Sequence, residues 1–372
     1  MRRRQVLGMG CRLAGGAAAS NLLLGGRLLA SPAAKRLLVV GGTDFLGPAV
    51  VEAGMVAGFR VSLFNRGVTN PGSFPFLERL QGYRSVDASD QNFTALAGRT
   101  WDAAIDVWPS DPTMVSSLAE FLKDRVGHYL YVSSCAAYDG FARPGLTEEA
   151  PLRAFQGSGP AYNREKAESE RRLQQTLGRK LTIVRPGAID GYRNDGANLQ
   201  TWLTRVQTGG RHIGPGSGNE PIQVVDAKDV GRFLMLAIEQ SLLGAFNLTG
   251  EASTFQAFLA GCRSATRSSA EFVWIPGEFL QKQDPDYGRF FPLWVSPTAQ
   301  TMAGFFRISS EKAVRAGWRR RPFDETAADV LEWYRERDAR LPTANGRAGH
   351  WSDPLGADKE AEIISQWKSL HS

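Results

Sequence analysis

Leu37-Leu38-Val39-Val40, entered through Arg36, is an unbroken apolar run that stops at Gly41-Gly42 and gives way to a helix-like stretch over residues 45–57. Successive strand side chains point to opposite faces, so a strand that is apolar throughout needs both faces buried. A parallel sheet with helices on both sides provides that. Further strands are expected at Phe59–Phe64, Tyr83–Val86, Ala103–Val107, Tyr129–Val132, Leu181–Val184 and Ala245–Leu248, with helices at Thr113–Lys123 and Tyr162–Leu177 between them. Alternation of this kind predicts an α/β chain with a doubly wound parallel sheet.

At 372 residues the chain exceeds the usual single-core size. From about Gly191 the pattern loosens into segments rich in Gly, Pro, Arg and aromatics, at 191–222 and 251–320. The expected organisation is a leader over 1–34, a sheet domain over 35–190, and a smaller substrate-binding lobe over 191–335. Within that lobe 245–249 returns to the sheet as a strand, Asp324–Arg337 is helical, and 336–372 is a C-terminal extension.

The formal charge of +6 invites a nucleic-acid partner, but its distribution argues against one. Residues 1–34 carry Arg2, Arg3, Arg4, Arg12 and Arg27 and no acid; the rest holds 39 basic residues against 38 acidic. Arg2-Arg3-Arg4 stands before an apolar, Gly- and Ala-rich stretch that runs to Leu29 and ends in small residues. This resembles a twin-arginine export signal. It makes the export machinery a partner and a periplasmic or extracellular site the expectation, with a cytoplasmic one if the leader does not function. Arg12 and Arg27 break the run short of the roughly 18–20 residues a spanning helix needs. Cys135 and Cys262 beyond the leader make no disulfide framework, and the four histidines lack metal-binding spacing, so no metal site is expected.

Gly41-Gly42-Thr43-Asp44-Phe45-Leu46-Gly47 joins the first strand to the first helix, the setting of a Rossmann dinucleotide loop. Gly41 permits the turn, Gly47 the close packing of helix on sheet, and the helix N-terminus attracts a pyrophosphate. Asp44 replaces the middle glycine of the usual GxxGxxG spacing. It either caps the helix or sets a carboxylate near the phosphate, weakening or altering cofactor binding. After the second strand comes Asn65-Arg66-Gly67, with no acid to hold the ribose hydroxyls of NAD. Arg66 suits a 2′-phosphate and reads otherwise as a solvated turn residue, so the expected cofactor is NAD(P) with a slight tilt to NADP. Asp87 is read as an adenine contact or a turn aspartate, and Thr43, Phe45 and Leu46 as loop contacts.

Tyr162 and Lys166 lie four residues apart at a helix start, on one face. An ammonium near a phenol favours the phenolate, so the pair predicts a lowered tyrosine pKa and a proton carrier for hydride chemistry. Tyr131-Val132-Ser133-Ser134 runs as a strand into small residues and leaves Ser134 at the carboxyl end of the sheet, where ligands bind. Ser133 reads as satisfying local backbone groups.

With these motifs in order, the chain is similar to extended short-chain dehydrogenase/reductase proteins of the NAD-dependent epimerase/dehydratase family. Val184-Arg185-Pro186-Gly187, Gln223 to Val230 and Phe246 to Gly250 also match, and the likeness spans about 36 to 335. The resemblance implies that Ser134 and Tyr162 bind and protonate substrate. It gives Lys166 a role in supporting Tyr162 and holding the nicotinamide ribose, and sets Pro186 and Gly187 near the nicotinamide. The Asp44 loop and Asn65-Arg66-Gly67 resemble a divergent branch that includes isoflavone-reductase-like and chloroplast stem-loop RNA-binding proteins.

Arg193, Asp195, Trp202, Arg205 and Gln223 are the substrate candidates of the lobe, as anion clamps and a stacking face, although surface arginines and a core tryptophan read equally well. Export leaves little NAD(P)H to exchange with, which favours redox-neutral chemistry on a sugar-like small molecule with the cofactor loaded beforehand. The alternatives are an NADPH-dependent reductase of a small carbonyl or aromatic compound, and a non-catalytic NAD(P)-dependent binding protein. A homodimer is left open.

Overall fold

The apolar run becomes strand β1 (Arg36–Val40), with four of its five residues buried. The structure, a computed structural model, describes residues 34–107, 111–194, 196, 198–340, 353 and 355–371. Residues 1–33 of the predicted export leader, and Asp195, lie outside them. Residues 34–372 hold together as one unit.

After β1 come α1 (Leu46–Val56), β2 (Arg60–Asn65), β3 (Glu78–Gln81), β4 (Trp101–Asp106), α2 (Pro112–Leu122), β5 (Val126–Val132), α3 (Ala161–Leu177) and β6 (Leu181–Pro186). The chain continues through β7 (Ala188–Asp190), α4 (Leu199–Gln207), β8 (Arg211–Pro215), β9 (Pro221–Ile222), β10 (Val224–Asp226), α5 (Ala227–Glu239) and β11 (Gly244–Leu248). Beyond it lie β12 (Ser253–Thr254), α6 (Phe255–Thr266), β13 (Glu271–Ile275), α7 (Gly277–Gln283), α8 (Glu311–Arg315), α9 (Phe323–Arg340) and α10 (Ala357–Ser369).

Seven parallel strands pair in the order β11-β6-β5-β4-β1-β2-β3. This is the doubly wound Rossmann sheet that the alternation predicts. Its period-two pattern sorts the core. Leu37 and Val39 of β1 face one layer with α1 and α5, while Leu38 and Val40 face the other with α2 and α3. The strand order reverses between β1 and β4, so their carboxyl ends open the crevice where such folds hold ligands.

The third strand is a correction. It runs over Glu78–Gln81, before the expected Tyr83–Val86, and only Leu80 in it is buried. It is the edge of the sheet, where a polar strand is tolerated because one flank stays open. The lobe has a separate aromatic core that gathers Trp202, Phe255, Phe291 and Trp294. Leu355, Ile363 and Ile364 join the same core, so α10 of the predicted extension is packed into the lobe.

Candidate active site

The turn after β1 is shaped by backbone. Gly41 and Gly42 adopt φ of 97° and 86°, which glycine takes without strain. A Cβ on Gly41 would lie 2.9 Å from Val107 Cγ2, and one on Gly47 would lie 2.7 Å from the Gly42 backbone. Asn65, at the end of β2, donates from Nδ2 to the Gly41 carbonyl at 2.9 Å, and Asn70 donates to the Thr43 carbonyl at 2.8 Å. Asn65 thus braces the turn from its own strand end.

Helix α1 starts at Leu46 with Phe45 as its N-cap residue, no side chain capping it and no acid in its first turn. Its first N–H groups and positive dipole end are left for an anion. The capping role weighed for Asp44 is therefore corrected: the cap position falls one residue later, and Asp44 is exposed, its carbonyl accepting from the Gly47 N–H at 2.8 Å.

A cavity of about 560 Å³ runs along these strand ends. Gly41, Thr43, Asp44, Phe45, Leu46 and Arg66 all contribute to its wall. Toward its other end the wall includes Ser133, Tyr162 and Lys166. The cavity therefore joins the glycine turn to the Tyr–Lys pair, as a dinucleotide with its reactive ring at the far end requires.

Lys166 is buried on α3 and donates from Nζ to the Val132 carbonyl at 2.7 Å, above the Tyr131 ring at 4.7 Å. Burial pulls its pKa down to about 7, opposed by the carboxylates of Asp106 and Glu170. Tyr162 is 45% exposed, and the side chain of Ser134 hydrogen-bonds it. The expected lowering of the tyrosine pKa is corrected: partial burial raises it, opposed by Ser134. Lys166 Nζ lies 5.8 Å from the phenol ring and is held by the strand carbonyl. Ser134 also accepts from the Ala136 N–H at 3.1 Å, which fixes its position at the end of β5.

Two buried ion pairs flank Lys166. Arg84 grips Asp106 through both terminal guanidinium nitrogens at 2.7 and 3.1 Å, and the Tyr129 hydroxyl donates to the same carboxylate at 3.0 Å. On the other flank Arg185 grips Glu170 at 2.7 Å, and the Ser133 hydroxyl donates to Glu170 at 2.5 Å. Ser133 is thereby tied to a side chain rather than to local backbone. The sequence reading misses Arg84 and Asp106, whose partnership spans 22 residues.

Other expected contacts fall elsewhere. Asp87 is exposed and accepts from Ser89 N and Oγ at 2.8 and 2.7 Å; Tyr83 and Arg84 form the cavity wall in its stead. Pro186 is buried in the register of β6 with β11, and Ile189 reaches the wall. Arg205 is buried, donating from Nε and an NH2 group to Asp353 at 2.7 and 2.5 Å, so it anchors the segment before α10. Gln223 clasps Ile308, accepting from its N–H at 2.9 Å and donating to its carbonyl at 3.2 Å. Arg193 lies over the rings of Phe74 and Tyr192 at 5.8 and 5.5 Å. Trp202 is fully buried and donates to the Pro292 carbonyl. Among the described residues no group of three or more His, Cys, Asp or Glu could hold a metal ion.

Fold and cavity define a dinucleotide-binding α/β protein with a Ser-Tyr-Lys set. The NAD dependent epimerase/dehydratase family model matches residues 37–248, and the chain belongs to that family of enzymes. It is similar to the chloroplast stem-loop binding protein of 41 kDa b from Arabidopsis thaliana, at 26% identity over 251 residues, 62% of this chain and 63% of that protein's length. Among solved structures, the Bordetella bronchiseptica enzyme WbmG in complex with NAD and UDP aligns with a TM-score of 0.62 at 15% identity, covering 83% of this chain and 96% of that one. The UDP-glucose 4-epimerase of Thermus thermophilus in complex with NAD aligns at 0.54 and 18% identity, covering 81% and 99%. At these identities the solved structures establish the fold.

Proposed function

We propose that this enzyme binds NAD(P) in the first cavity and uses Tyr162, Ser134 and Lys166 for hydride chemistry at a hydroxyl-bearing carbon of a sugar-like substrate. The observation that carries the reading is one continuous wall: the glycine turn and the uncapped α1 at one end, Lys166 and Tyr162 at the other. NAD in the complexes of the fold relatives supports a nicotinamide dinucleotide here. Arg66 in the wall supports a 2′-phosphate, hence NADP.

A bound nicotinamide would accept and return hydride. Ser134 would hold the reacting oxygen by its hydroxyl, and Tyr162 would take that oxygen's proton and give it back. Lys166, fixed by the Val132 carbonyl, would hold the ribose and keep positive charge near the phenol when protonated. The buried pairs Arg84–Asp106 and Arg185–Glu170 would hold Lys166 and the end of β5 in place, which orientation-dependent catalysis needs.

The arginine leader supports export with the cofactor already loaded, and so a redox-neutral cycle such as epimerisation. Mass spectrometry of small molecules released from the purified full chain tests this. Near-stoichiometric NADP or NAD, with turnover unaided by added NAD(P)H, is the expected result. Turnover that depends on continuous NADPH supply would move the assignment to a reductase, which Arg66 also favours.

A further inference from the structure

A second cavity, of about 630 Å³, opens in the lobe, and among the described residues its walls share none with those of the first. Its chemistry is aromatic. Trp274, Phe306 and Trp367 contribute to the wall, joined by Met302. The Trp274 indole lies on Gly214 and Gly218, where a Cβ would come within 2.6 and 2.9 Å of the ring. These glycines seat the indole against the lobe. Trp367 is held edge-on against Phe279, with ring centroids 5.0 Å apart.

Its charge runs against an anionic ligand. Glu220 is buried in the wall, its carboxylate accepting from Ser217 N at 2.9 Å, Gly218 N at 2.8 Å and Ser217 Oγ at 3.1 Å. Glu278 adds a second carboxylate, and Arg307 is the one basic side chain among the described wall residues. A phosphate there would meet more negative than positive charge, with weak screening beside the buried glutamate. A pyranose fits better. Its apolar C–H face matches flat indoles, and its hydroxyls match the serines and carboxylates. The position also suits a substrate: Met302 packs on the cluster of Cys135, Tyr138 and Phe141, and Cys135 directly follows Ser134.

We propose that this cavity binds the part of the substrate remote from the reacting carbon, and that this part is an uncharged glycoside rather than a nucleoside diphosphate. The inference rests on the sugar-directed reading above and names its substrate class.

The test titrates the full-length protein, carrying its cofactor, with cellobiose, lactose, UDP and UDP-glucose. Tryptophan emission and calorimetry are the readouts. A neutral saccharide should bind and UDP should not. Trp367→Phe should weaken saccharide binding at least tenfold while the bound cofactor is unchanged. To separate lost binding from disturbed aromatic packing, Glu278→Arg at the exposed rim serves as a second probe, and it should create measurable UDP binding. UDP-glucose binding more tightly than every saccharide would overturn the proposal. So would turnover of a substrate whose KM neither variant changes, a result that leaves the hydride reading intact. Saccharide binding without any turnover would uphold the cavity and remove the hydride reading instead.

Discussion

The two cavities are close in size, about 560 and 630 Å³, yet differ in what builds them. The first is shaped by backbone and buried charge: glycines that exclude side chains, an uncapped helix end, and two ion pairs flanking one lysine. The second is shaped by side-chain surface, with the Trp274 indole seated on Gly214 and Gly218 and the Glu220 carboxylate held by a local turn. The first kind of site recognises an extended anion by position. The second recognises an apolar face by shape and leaves charge as a means of exclusion. Keeping the two tasks in separate structures lets one change without the other.

The sharpest way to break this division is Tyr162→Phe. Loss of the proposed proton carrier should lower kcat by ~10²–10⁴ while cofactor content and saccharide binding stay unchanged. Steady-state kinetics beside mass spectrometry of released cofactor checks both halves. Loss of the cofactor from this variant would show that the tyrosine acts in binding.

Arg205→Met comes next. Arg205 is buried against Asp353, and breaking such a pair from one side should cost about 3 kcal/mol in chemical denaturation. Saccharide binding should weaken with it, because α10 carries Trp367, whereas the cofactor should remain bound. A variant that loses both ligands together would mean the two regions unfold as one.

Gly47→Ala probes the opposite half. Its Cβ would press on the Gly42 backbone at 2.7 Å, so cofactor affinity should fall by roughly tenfold, about 1.4 kcal/mol. Quenching by cellobiose should not change. Equilibrium dialysis with NADP decides it.

The last effect expected is a pH dependence. Lys166 binds its proton with a pKa of about 7 when folded, against about 10.5 in the unfolded chain. Between those values the unfolded state holds more protons, so this group's contribution makes the protein more stable as pH rises. Below about 7 the full cost of burying the ammonium is present. Lys166→Met should therefore raise the melting temperature at pH 6 and lose that advantage by pH 10. An increment equal at both pH values would contradict a depressed lysine pKa.

The same contrast explains what can be read from the chain alone. The glycine turn, Ser134, Tyr162 and Lys166 are set by local spacing next to strongly patterned strands, so type and position are visible together. Strand β3 escapes the pattern because its edge position leaves only Leu80 to carry an apolar signal. Arg205 and Gln223 suit a substrate by residue type alone. Their true partners, Asp353 and Ile308, stand 148 and 85 residues away and carry no sequence signature. The second cavity is invisible for the same reason: Ser217, Trp274, Met302 and Trp367 come from separate segments that only the folded lobe brings together.

Helix α10 has a consequence in time. His212 and the Ile213 N–H bind Glu360 of α10 at 3.0 and 2.8 Å, and Trp367 follows two turns later. During synthesis all seven strands of the sheet have emerged once residue 248 is out, while the aromatic cavity waits for residue 367. A nascent chain thus holds every strand of its sheet before it holds the last wall residue of its aromatic cavity, and the order of translation sets the order in which the two can form.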